Sequence, residues 1–402
     1  MRIAVLGADG YLGWPTALHL SAQGHDVVAV DNLIRRRWDE ECGTGSLVPI
    51  SSMEARCARW QQVSGRSITW HNVDLRDRDA VEQLVVAIEP EAVVHFAEQR
   101  SAPYSMISPS HGVETQVNNL VGTLNLIYAL RDHVPDCHLI KLGTMGEYGT
   151  PNIDIEEGFI EIEHNGRHDR MLYPKSPGSV YHLSKVHDSH NLEFACRVWD
   201  MRATDLNQGV VYGTTTDECA QHPELATRFD YDGIWGTVLN RYCVQAAVGE
   251  PLSVHGKGGQ TRGFLDIRDT VRCIELAALN APAPGEYRVF NQFTEQFSVL
   301  ELAEKVKHAR AAHGLETEIH HVPNPRRELE EHYYKARHQH LLDLGLQPHN
   351  LSDTLIDHVI QAVETNISRV RRETITAAVD WRRGGGLYRA PAASTLATAT
   401  AR

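Results

Sequence analysis

Three evenly spaced glycines follow a short apolar segment at the start of the chain. Residues 2–6 are strand-forming, and Gly7, Gly10 and Gly13 then open a segment with helical spacing that runs to Gln23. Glycines at these places let the backbone turn tightly and approach a pyrophosphate at the N-terminus of the helix. The pattern therefore predicts a strand–turn–helix unit that binds a dinucleotide.

An acidic residue ends the second predicted strand. Asp31 closes the segment 25–31, about 20 residues after the glycines, where a carboxylate accepts hydrogen bonds from ribose hydroxyls. Because this acid would repel a 2′-phosphate, the sequence favours NAD over NADP. Arg35, Arg36 and Arg37 follow closely, and we expect them to meet the adenosine end of the cofactor or to be solvated.

Strands and helices continue to alternate beyond this unit, which is typical of the α/β class with a doubly wound parallel sheet. Further strands are predicted at 68–73, 92–96, 138–142 and 203–210, and further helices at 179–199, 232–248, 270–279 and 299–311. We predict a Rossmann-type dinucleotide-binding domain, a smaller substrate lobe that returns segments to it, and a disordered tail, at 1–211, 212–383 and 384–402. Insertions interrupt the first domain at 32–66 and 151–178, and the second insertion is expected to be a long loop that covers a site.

Charge and composition restrict the partners. The chain has 39 Lys and Arg against 52 Asp and Glu, a formal net charge of −13, which argues against nucleic acid and against anchoring to anionic lipid. Seven cysteines form no C-x-x-C pair and no apolar run approaches the ~20 residues of a membrane span, so we expect a reduced, cytoplasmic protein. Histidine pairs such as His187 and His190 lack a third ligand at a recognised spacing, so no metal site is predicted.

A tyrosine and a lysine stand four residues apart in the helix predicted at 179–199. This spacing places the phenol of Tyr181 and the ammonium of Lys185 on one face of the helix, about a turn apart. A neighbouring cation favours the phenolate, so Tyr181 is a candidate base toward a sugar or alcohol hydroxyl.

Behind the glycine turn, this Y-x-x-x-K motif resembles the short-chain dehydrogenase/reductase family. The stretches 119–125 and 262–269 are similar to its extended branch, the nucleotide-sugar epimerases and dehydratases. In that family the tyrosine transfers the proton, the lysine holds the nicotinamide ribose, and a Ser or Thr after the fifth strand, here Thr144, completes a triad.

The resemblance also implies a place for the diphosphate. Arg262 matches the arginine that grips the diphosphate in the extended branch, since a guanidinium donates two parallel hydrogen bonds to phosphate oxygens. Arg326, in an Asn-Pro-Arg turn of the predicted substrate lobe, is expected to assist it. For Arg241 and Arg268 a surface ion pair stays open as the alternative.

Longer blocks are similar to the members of this branch that join sulfite to UDP-glucose: 96–106, 141–155, 181–191, 204–213, 256–269, 289–297, 323–326 and 330–334. The implied reaction oxidises the 4-carbon of the glucose, eliminates water across the 5- and 6-carbons, adds sulfite to the alkene and reduces the 4-carbon again. NAD is regenerated in each turnover and is expected to stay bound. The resemblance further implies a homodimer and admits a protein that delivers the sulfite.

The site residues that the resemblance implies fall into three sets. The catalytic set is Thr144, Met145, Glu147, Tyr181, His182 and Lys185. The cofactor-binding set is Gly7, Asp9, Gly10, Tyr11, Leu12, Gly13, Asp31, Asn32, Arg35, Asp74, Leu75, Asn118, Asn119, Tyr181, Lys185, Gln208 and Val210. The substrate-binding set is Gln99, Arg100, Thr144, Tyr181, Asn207, Arg262, Arg326 and Tyr334.

One departure concerns the acid and base for elimination. Ordinary nucleotide-sugar dehydratases follow the threonine with Asp-Glu, where this chain has Met145 and Gly146. The groups left for elimination are Glu147, one place further on, and His182, beside the tyrosine. A structural carboxylate bonded to backbone amides is an equal alternative for Glu147.

Arg100 follows the fourth predicted strand, at the sheet edge where doubly wound folds bind their ligands. We expect it to position sulfite, with Gln99 and Ser101 donating further hydrogen bonds. The alternative is a brace in which Arg100 pairs with Glu98 or Glu147.

Two rival functions remain. One is a related enzyme that only epimerises or dehydrates a nucleotide sugar. The other is a non-catalytic dinucleotide sensor on the same fold, against which the intact Thr144, Tyr181 and Lys185 argue.

Overall fold

The computed structural model describes residues 1–326, 329, 332–376, 378–381 and 387–388. The described strands, in chain order, are β1 (Arg2–Leu6), β2 (Asp26–Asp31), β3 (Ile68–Asn72), β4 (Ala92–His95), β5 (His138–Thr144), β6 (Phe159–His164), β7 (Arg167–Leu172), β8 (Arg202–Gln208), β9 (Val210–Tyr212), β10 (Leu252–His255), β11 (Thr261–Asp266), β12 (Tyr287–Gln292), β13 (Glu295–Ser298), β14 (Ile319–Val322), β15 (Ala378–Val379) and β16 (Leu387–Tyr388).

The described α-helices, in chain order, are α1 (Gly13–Ala22), α2 (Ile34–Cys42), α3 (Met53–Ser64), α4 (Arg78–Ile88), α5 (Ala102–Ser105), α6 (Pro109–Gln116), α7 (Gly122–His133), α8 (Val180–Trp199), α9 (Val238–Ala247), α10 (Ile267–Leu279), α11 (Val299–Ala312), α12 (Gln339–Asp343), α13 (Asp353–Thr365) and α14 (Arg372–Ile375). A π-helical turn at Val117–Val121 joins α6 to α7.

Seven parallel strands form the central sheet in the order β12-β8-β5-β4-β1-β2-β3. Alternate residues of β1 enter two different apolar cores, Ile3 and Val5 one of them, Ala4 and Leu6 the other. Since successive side chains of a strand point to opposite faces, both faces of the sheet are covered. The predicted doubly wound α/β fold is confirmed.

A third apolar core lies in the part of the chain predicted to be the substrate lobe. Helices α9, α11 and α13 pack there against β10 and β11. Leu47, from the insertion at 32–66, is buried in the same core. The predicted tail at 384–402 lies outside the described residues except for β16, which pairs antiparallel with β15; Glu330 and Glu331 of the last similar block also lie outside them.

The structure differs from the predicted elements at three places. The insertion at 151–178 contains an antiparallel hairpin, β6–β7, rather than only a loop. The strand predicted at 203–210 ends at Gln208, because β9 leaves the central sheet and pairs with β11. The helix predicted from residue 232 begins only at Val238, since the Asp232 carboxylate accepts hydrogen bonds from the backbone amides of Ile234 and Trp235 and closes a turn. None of the described helices combines the length and apolarity needed to cross a bilayer.

Candidate active site

A cavity of about 810 Å³ opens at the carboxyl edge of the central sheet, the edge at which doubly wound folds bind ligands. The predicted site residues that line it are Gly7, Gly10, Tyr11, Leu12, Gly13, Asp31, Asn32, Arg35, Asp74, Leu75, Arg100, Asn118, Thr144, Met145, Tyr181, His182, Lys185, Gln208, Val210, Arg262, Arg326 and Tyr334. The predicted site residues that do not line it are Asp9, Gln99, Asn119, Glu147 and Asn207.

The glycine turn forms one wall of the cavity. Gly7 has a positive φ of 85°, and a Cβ there would lie 2.7 Å from the backbone nitrogen of Ala97, so a side chain is excluded. The turn leads into α1, whose N-terminal amides face an anion favourably. A glycine cradle at a helix N-terminus fits the pyrophosphate of a dinucleotide.

Asp31 ends β2 at the same wall. One of its oxygens accepts a hydrogen bond from the Asp9 amide at 2.8 Å, and the other accepts one from the Leu33 amide at 2.6 Å. Burial, and then the neighbouring Asp9 carboxylate, raises the pKa of Asp31 to about 6. The carboxyl is therefore fixed in orientation where a ribose hydroxyl of the cofactor would bind.

The Asp9 side chain does not face the cavity. It is buried and pairs with two arginines of the insertion at 32–66, Arg36 at 2.7 Å and Arg56 at 3.3 Å. These contacts hold the glycine turn from behind. Asp9 and Arg36 are thus paired with each other and do not line the cavity, and their expected places at the cofactor stay predictions.

Arg35 reaches the cavity from α2, whereas Arg37 is exposed to solvent. The Arg35 guanidinium lies 3.8 Å from the ring centroid of Trp235 and pairs with Asp39 and with Asp230. Burial lowers its pKa, and Asp230 opposes that shift.

Thr144, Tyr181 and Lys185 converge on the cavity from β5 and α8. The Ser179 side chain caps α8 by accepting a hydrogen bond from the His182 amide at 3.2 Å, which fixes where the helix begins. Lys185 donates to the Leu142 carbonyl at 2.7 Å and pairs with Glu98. Its ammonium lies 5.9 Å from the ring centroid of Tyr181.

The neighbouring cation led us to expect a lowered pKa at Tyr181, but the structure raises it. Burial raises the pKa of Tyr181 to about 12, with Glu147 adding to the shift and Arg100 opposing it. Burial also lowers the pKa of Lys185 to about 8, against the attraction of Asp188 and Asp205. Burial is therefore the largest effect on the Tyr181 phenol, and the Lys185 ammonium is engaged by Glu98 and the Leu142 carbonyl.

The two candidates for elimination have different surroundings. Glu147 is buried off the cavity and accepts hydrogen bonds from the Thr144 amide at 3.1 Å, from Ser189 at 3.0 Å and from Lys175 at 2.5 Å. These contacts fit the structural alternative. His182 lines the cavity, with its Nδ1 atom 3.0 Å from the Ser179 hydroxyl.

Gly146 lies directly against the ring of His182. A Cβ at position 146 would overlap the Nε2 and Cδ2 atoms of that imidazole. The missing side chain in the Thr-Met-Gly segment therefore makes the space that His182 occupies.

Three polar residues predicted to contact ligands brace the cavity wall instead. Asn119 accepts a hydrogen bond from the Gln99 amide at 2.7 Å and donates to Ser184 at 2.8 Å. Gln99 turns inward to Thr115 at 2.8 Å. Asn207 donates to Tyr148 at 2.8 Å. Buried polar groups need such partners, and satisfying them directs these side chains away from the cavity.

Arg100 makes neither of the pairs considered for it. Its guanidinium pairs with Asp230 and donates to the Trp235 carbonyl at 3.1 Å. The neighbouring Ser101 donates to the Ile234 carbonyl at 2.6 Å. Arg100 is thus bound to the segment that precedes α9, while still lining the cavity.

A second group of cations lines the cavity on the substrate-lobe side. Arg262 and Arg326 lie there with Tyr334 and with Arg241. Arg262 also approaches His332 at 3.3 Å. Arg268 does not line the cavity and pairs with Asp266 at 2.8 Å. This contact fits the alternative of an ion pair that the sequence left open for Arg268. The chemistry of this region suits an anionic group such as a diphosphate.

The sequence interpretation assigned no ligand-binding role to several lining residues, among them Glu98, Trp38 and Trp235. Glu98 could have been found from the sequence, because it is the acid just after β4, at the sheet edge where ligands bind. The tryptophans carry no motif, and only their stacking, with ring centroids 6.0 Å apart, brings them together.

Comparisons with known proteins bear on this cavity. A model of the NAD dependent epimerase/dehydratase family matches residues 3–291. The chain is 57% identical over 384 residues to the chloroplastic UDP-sulfoquinovose synthase of Spinacia oleracea, covering 96% of this chain and 80% of that one. It is 48% identical over 349 residues to the UDP-sulfoquinovose synthase of Sulfolobus acidocaldarius, covering 87% and 88%. The solved structure of UDP-glucose 4-epimerase from Bifidobacterium longum in complex with NAD⁺ and UDP matches with a TM-score of 0.67 at 21% identity, covering 92% of this chain and 100% of that one.

Proposed function

Because the chain belongs to the NAD dependent epimerase/dehydratase family, within its UDP-sulfoquinovose synthase branch, we propose that it makes UDP-sulfoquinovose from UDP-glucose and sulfite. The observation that carries the proposal is the grouping of Thr144, Tyr181, Lys185, His182 and Arg100 around one cavity. The same cavity holds separate places for a dinucleotide and for an anionic sugar nucleotide.

The residues divide the chemistry of the sugar among them. Tyr181 takes the proton of the sugar 4-hydroxyl while Thr144 orients that hydroxyl, and Lys185 holds the nicotinamide ribose. NAD, when bound, supplies the reversible oxidation at the 4-carbon. Since the pKa of Tyr181 is raised by burial, the phenol acts as a base only when positive charge is added beside it.

Elimination and addition follow at the neighbouring carbons. A 4-keto group acidifies the proton on the 5-carbon, and His182 removes it while water leaves from the 6-carbon. Sulfite, oriented by Arg100, then adds to the 6-carbon and the 5-carbon regains a proton. The 4-keto group is finally reduced again, and its oxygen takes back the proton that Tyr181 had accepted. Arg262 and Arg326 bind the diphosphate throughout. We assign the elimination to His182 rather than Glu147 because only His182 of the two lines the cavity.

The deciding experiment incubates the pure protein with UDP-glucose, with and without sulfite, and measures product masses. A sulfite-dependent product with the mass of UDP-sulfoquinovose supports the proposal. A 4-epimer or 4-keto-6-deoxy sugar formed regardless of sulfite would establish the simpler epimerase or dehydratase. If the protein converts no UDP-glucose but still holds NAD, the non-catalytic dinucleotide sensor is the function that remains.

A homodimer is also proposed. Apolar side chains stand exposed on neighbouring helices, with Val113 on α6, Tyr128 on α7, and Leu183, Phe194 and Val198 on α8, and such patches mark interfaces. A monomeric mass at micromolar concentration in light scattering would contradict it. Delivery of sulfite by a partner protein also stays a proposal, and we assign no binding surface to that partner.

A further inference from the structure

Seven charged side chains lie buried in and behind the wall that carries Tyr181. We call them the lysine–carboxylate cluster, and its members are Lys141, Lys175, Lys185, Glu98, Glu147, Asp188 and Asp205. Buried charges are costly unless they are paired. With three lysines and four carboxylates, full ionisation leaves one negative charge in excess.

Three ion pairs account for six members of the cluster. Lys185 pairs with Glu98, and Lys175 pairs with Glu147 at 2.5 Å. Lys141 pairs with Asp205 at 3.4 Å and also lies 3.8 Å from Glu147. Asp205 is satisfied further, because it accepts hydrogen bonds from Ser189 at 2.6 Å and from Tyr287 at 2.8 Å.

Asp188 is the remaining member. It follows Lys185 by three residues on α8 and is fully buried, and neither of its oxygens has a hydrogen-bond partner among the described residues. Burial raises the pKa of Asp188 to about 6, with Lys141 and Lys185 opposing the shift and Glu147 and Asp205 adding to it. Lys141 and Lys185 are the cations that favour its charged form.

Two described histidines respond to the cluster, and neither supplies the missing cation, because burial lowers the pKa of both His95 and His190. His95, on β4, is the buried imidazole whose titration responds to Lys185 and Lys141, and burial lowers its pKa to about 3. The excess negative charge therefore stays within the wall, about one helical turn from the ammonium of Lys185.

We propose that Asp188 sets the preference of the nicotinamide site for the oxidised cofactor over the reduced one. The inference rests on the proposed function, in which Lys185 holds the nicotinamide ribose. The nicotinamide ring is positively charged only in its oxidised form, so a negative charge in the wall behind Lys185 stabilises that form more than the reduced form. Asp188 does not line the cavity and is a positioning residue that acts through the electrostatic potential.

The test compares the dissociation constants of NAD⁺ and NADH in the absence of UDP-glucose and sulfite. Protein stripped of nucleotide is titrated with each form, for the wild type, Asp188→Asn and Lys141→Met. Asp188→Asn keeps the shape of the side chain and removes its charge, so we expect the ratio of the two constants to shift about three- to tenfold toward NADH. Lys141→Met removes a positive charge from the same cluster and should shift the ratio toward NAD⁺.

Ser189→Ala is the matched neutral control, because it disturbs the same cluster without changing its charge. An unchanged ratio in Asp188→Asn would overturn the inference, as would an equal shift in Ser189→Ala or a shift toward NADH in Lys141→Met. Should Lys141→Met fail to fold, the comparison of Asp188→Asn with Ser189→Ala decides alone. A wild type that binds neither cofactor would overturn the proposed function instead.

Discussion

Two buried networks of charge border the same cavity and are built differently. In the arginine network, formed by Arg35, Arg100, Arg228, Asp39 and Asp230, each carboxylate contacts at least two guanidiniums. In the lysine–carboxylate cluster, each lysine has an acidic partner and one carboxylate has none. A guanidinium has five donors in a planar fork and can bridge several acids, whereas an ammonium is a single point charge.

The arginine network and the lysine–carboxylate cluster therefore have different roles. The arginine network ties residues that follow β2 and β4 to the segment before α9, so its charges hold parts of the chain together. The lysine–carboxylate cluster ends with an unpaired charge, so it creates an electrostatic potential at the catalytic wall. Removing an acid from the first should weaken the fold, and removing the unpaired acid from the second should strengthen it.

The largest effect is expected where the lysine–carboxylate cluster meets the cavity. Tyr181→Phe removes the hydroxyl that transfers the proton but keeps the ring, so turnover should fall about 10²–10⁴-fold. Bound NAD and UDP-glucose affinity should change little, which nucleotide release and calorimetry measure. Near-normal turnover would remove Tyr181 from the mechanism.

Asp230→Asn tests the arginine network. The side chains of Arg35 and Arg228 are largely buried around Asp230. Because the substitution leaves these guanidiniums with one counterion fewer, it should lower the free energy of unfolding by about 3–5 kcal/mol. Denaturant titration measures it. Asp26→Asn is the control, since Asp26 forms an exposed pair with Arg2, and its loss should change the free energy of unfolding far less than the loss of Asp230. Equal losses in both variants would refute the distinction.

Asp188→Asn, in the lysine–carboxylate cluster, should change the free energy of unfolding in the opposite direction. The pKa of Asp188 is raised to about 6 in the folded protein, so its ionisation opposes folding at pH values above its unfolded pKa. The variant should therefore be more stable by about 1–3 kcal/mol at pH 8, and the gain should fade as the pH falls from 6 toward 4. Urea titration at both pH values measures it.

Asp205→Asn is the matched control for that stability change. Asp205 is equally buried but paired, and its pKa is lowered by Lys141 and Lys175 against the effect of burial. We expect this variant to lose stability at pH 8. Destabilisation by both substitutions would show that the unpaired and paired acids of the cluster do not differ.

The smallest effect concerns the most exposed guanidinium of the arginine network. Arg100 has 35% of its side chain exposed, so it can turn from Asp230 toward an anion in the cavity. Arg100→Ala should raise the KM for sulfite about tenfold, equivalent to about 1.4 kcal/mol, with NAD retained. A lower unfolding free energy with an unchanged KM would make Arg100 a brace only.

Local patterns predicted the parts of the fold and site that depend on spacing. The glycine turn, Asp31 and the Tyr181–Lys185 pair follow from strand ends and one helical turn, so their positions on the cavity needed no distant contact. The pairing of Arg100 with Asp230, 130 positions away, was not predictable, because it depends on how two segments meet in space. The direction of the pKa shift at Tyr181 was not predictable for the same reason, since burial is its largest cause.

The contact between Gly146 and His182 has a consequence for how the catalytic groups are chosen. On this backbone, a side chain at position 146 would overlap the imidazole of His182 as it lies, so the imidazole would have to move. A side chain at position 146 and the imidazole in its present place therefore compete for one volume. The glycine leaves that volume to the imidazole, so the choice of residue at position 146 also decides where the group at position 182 can lie.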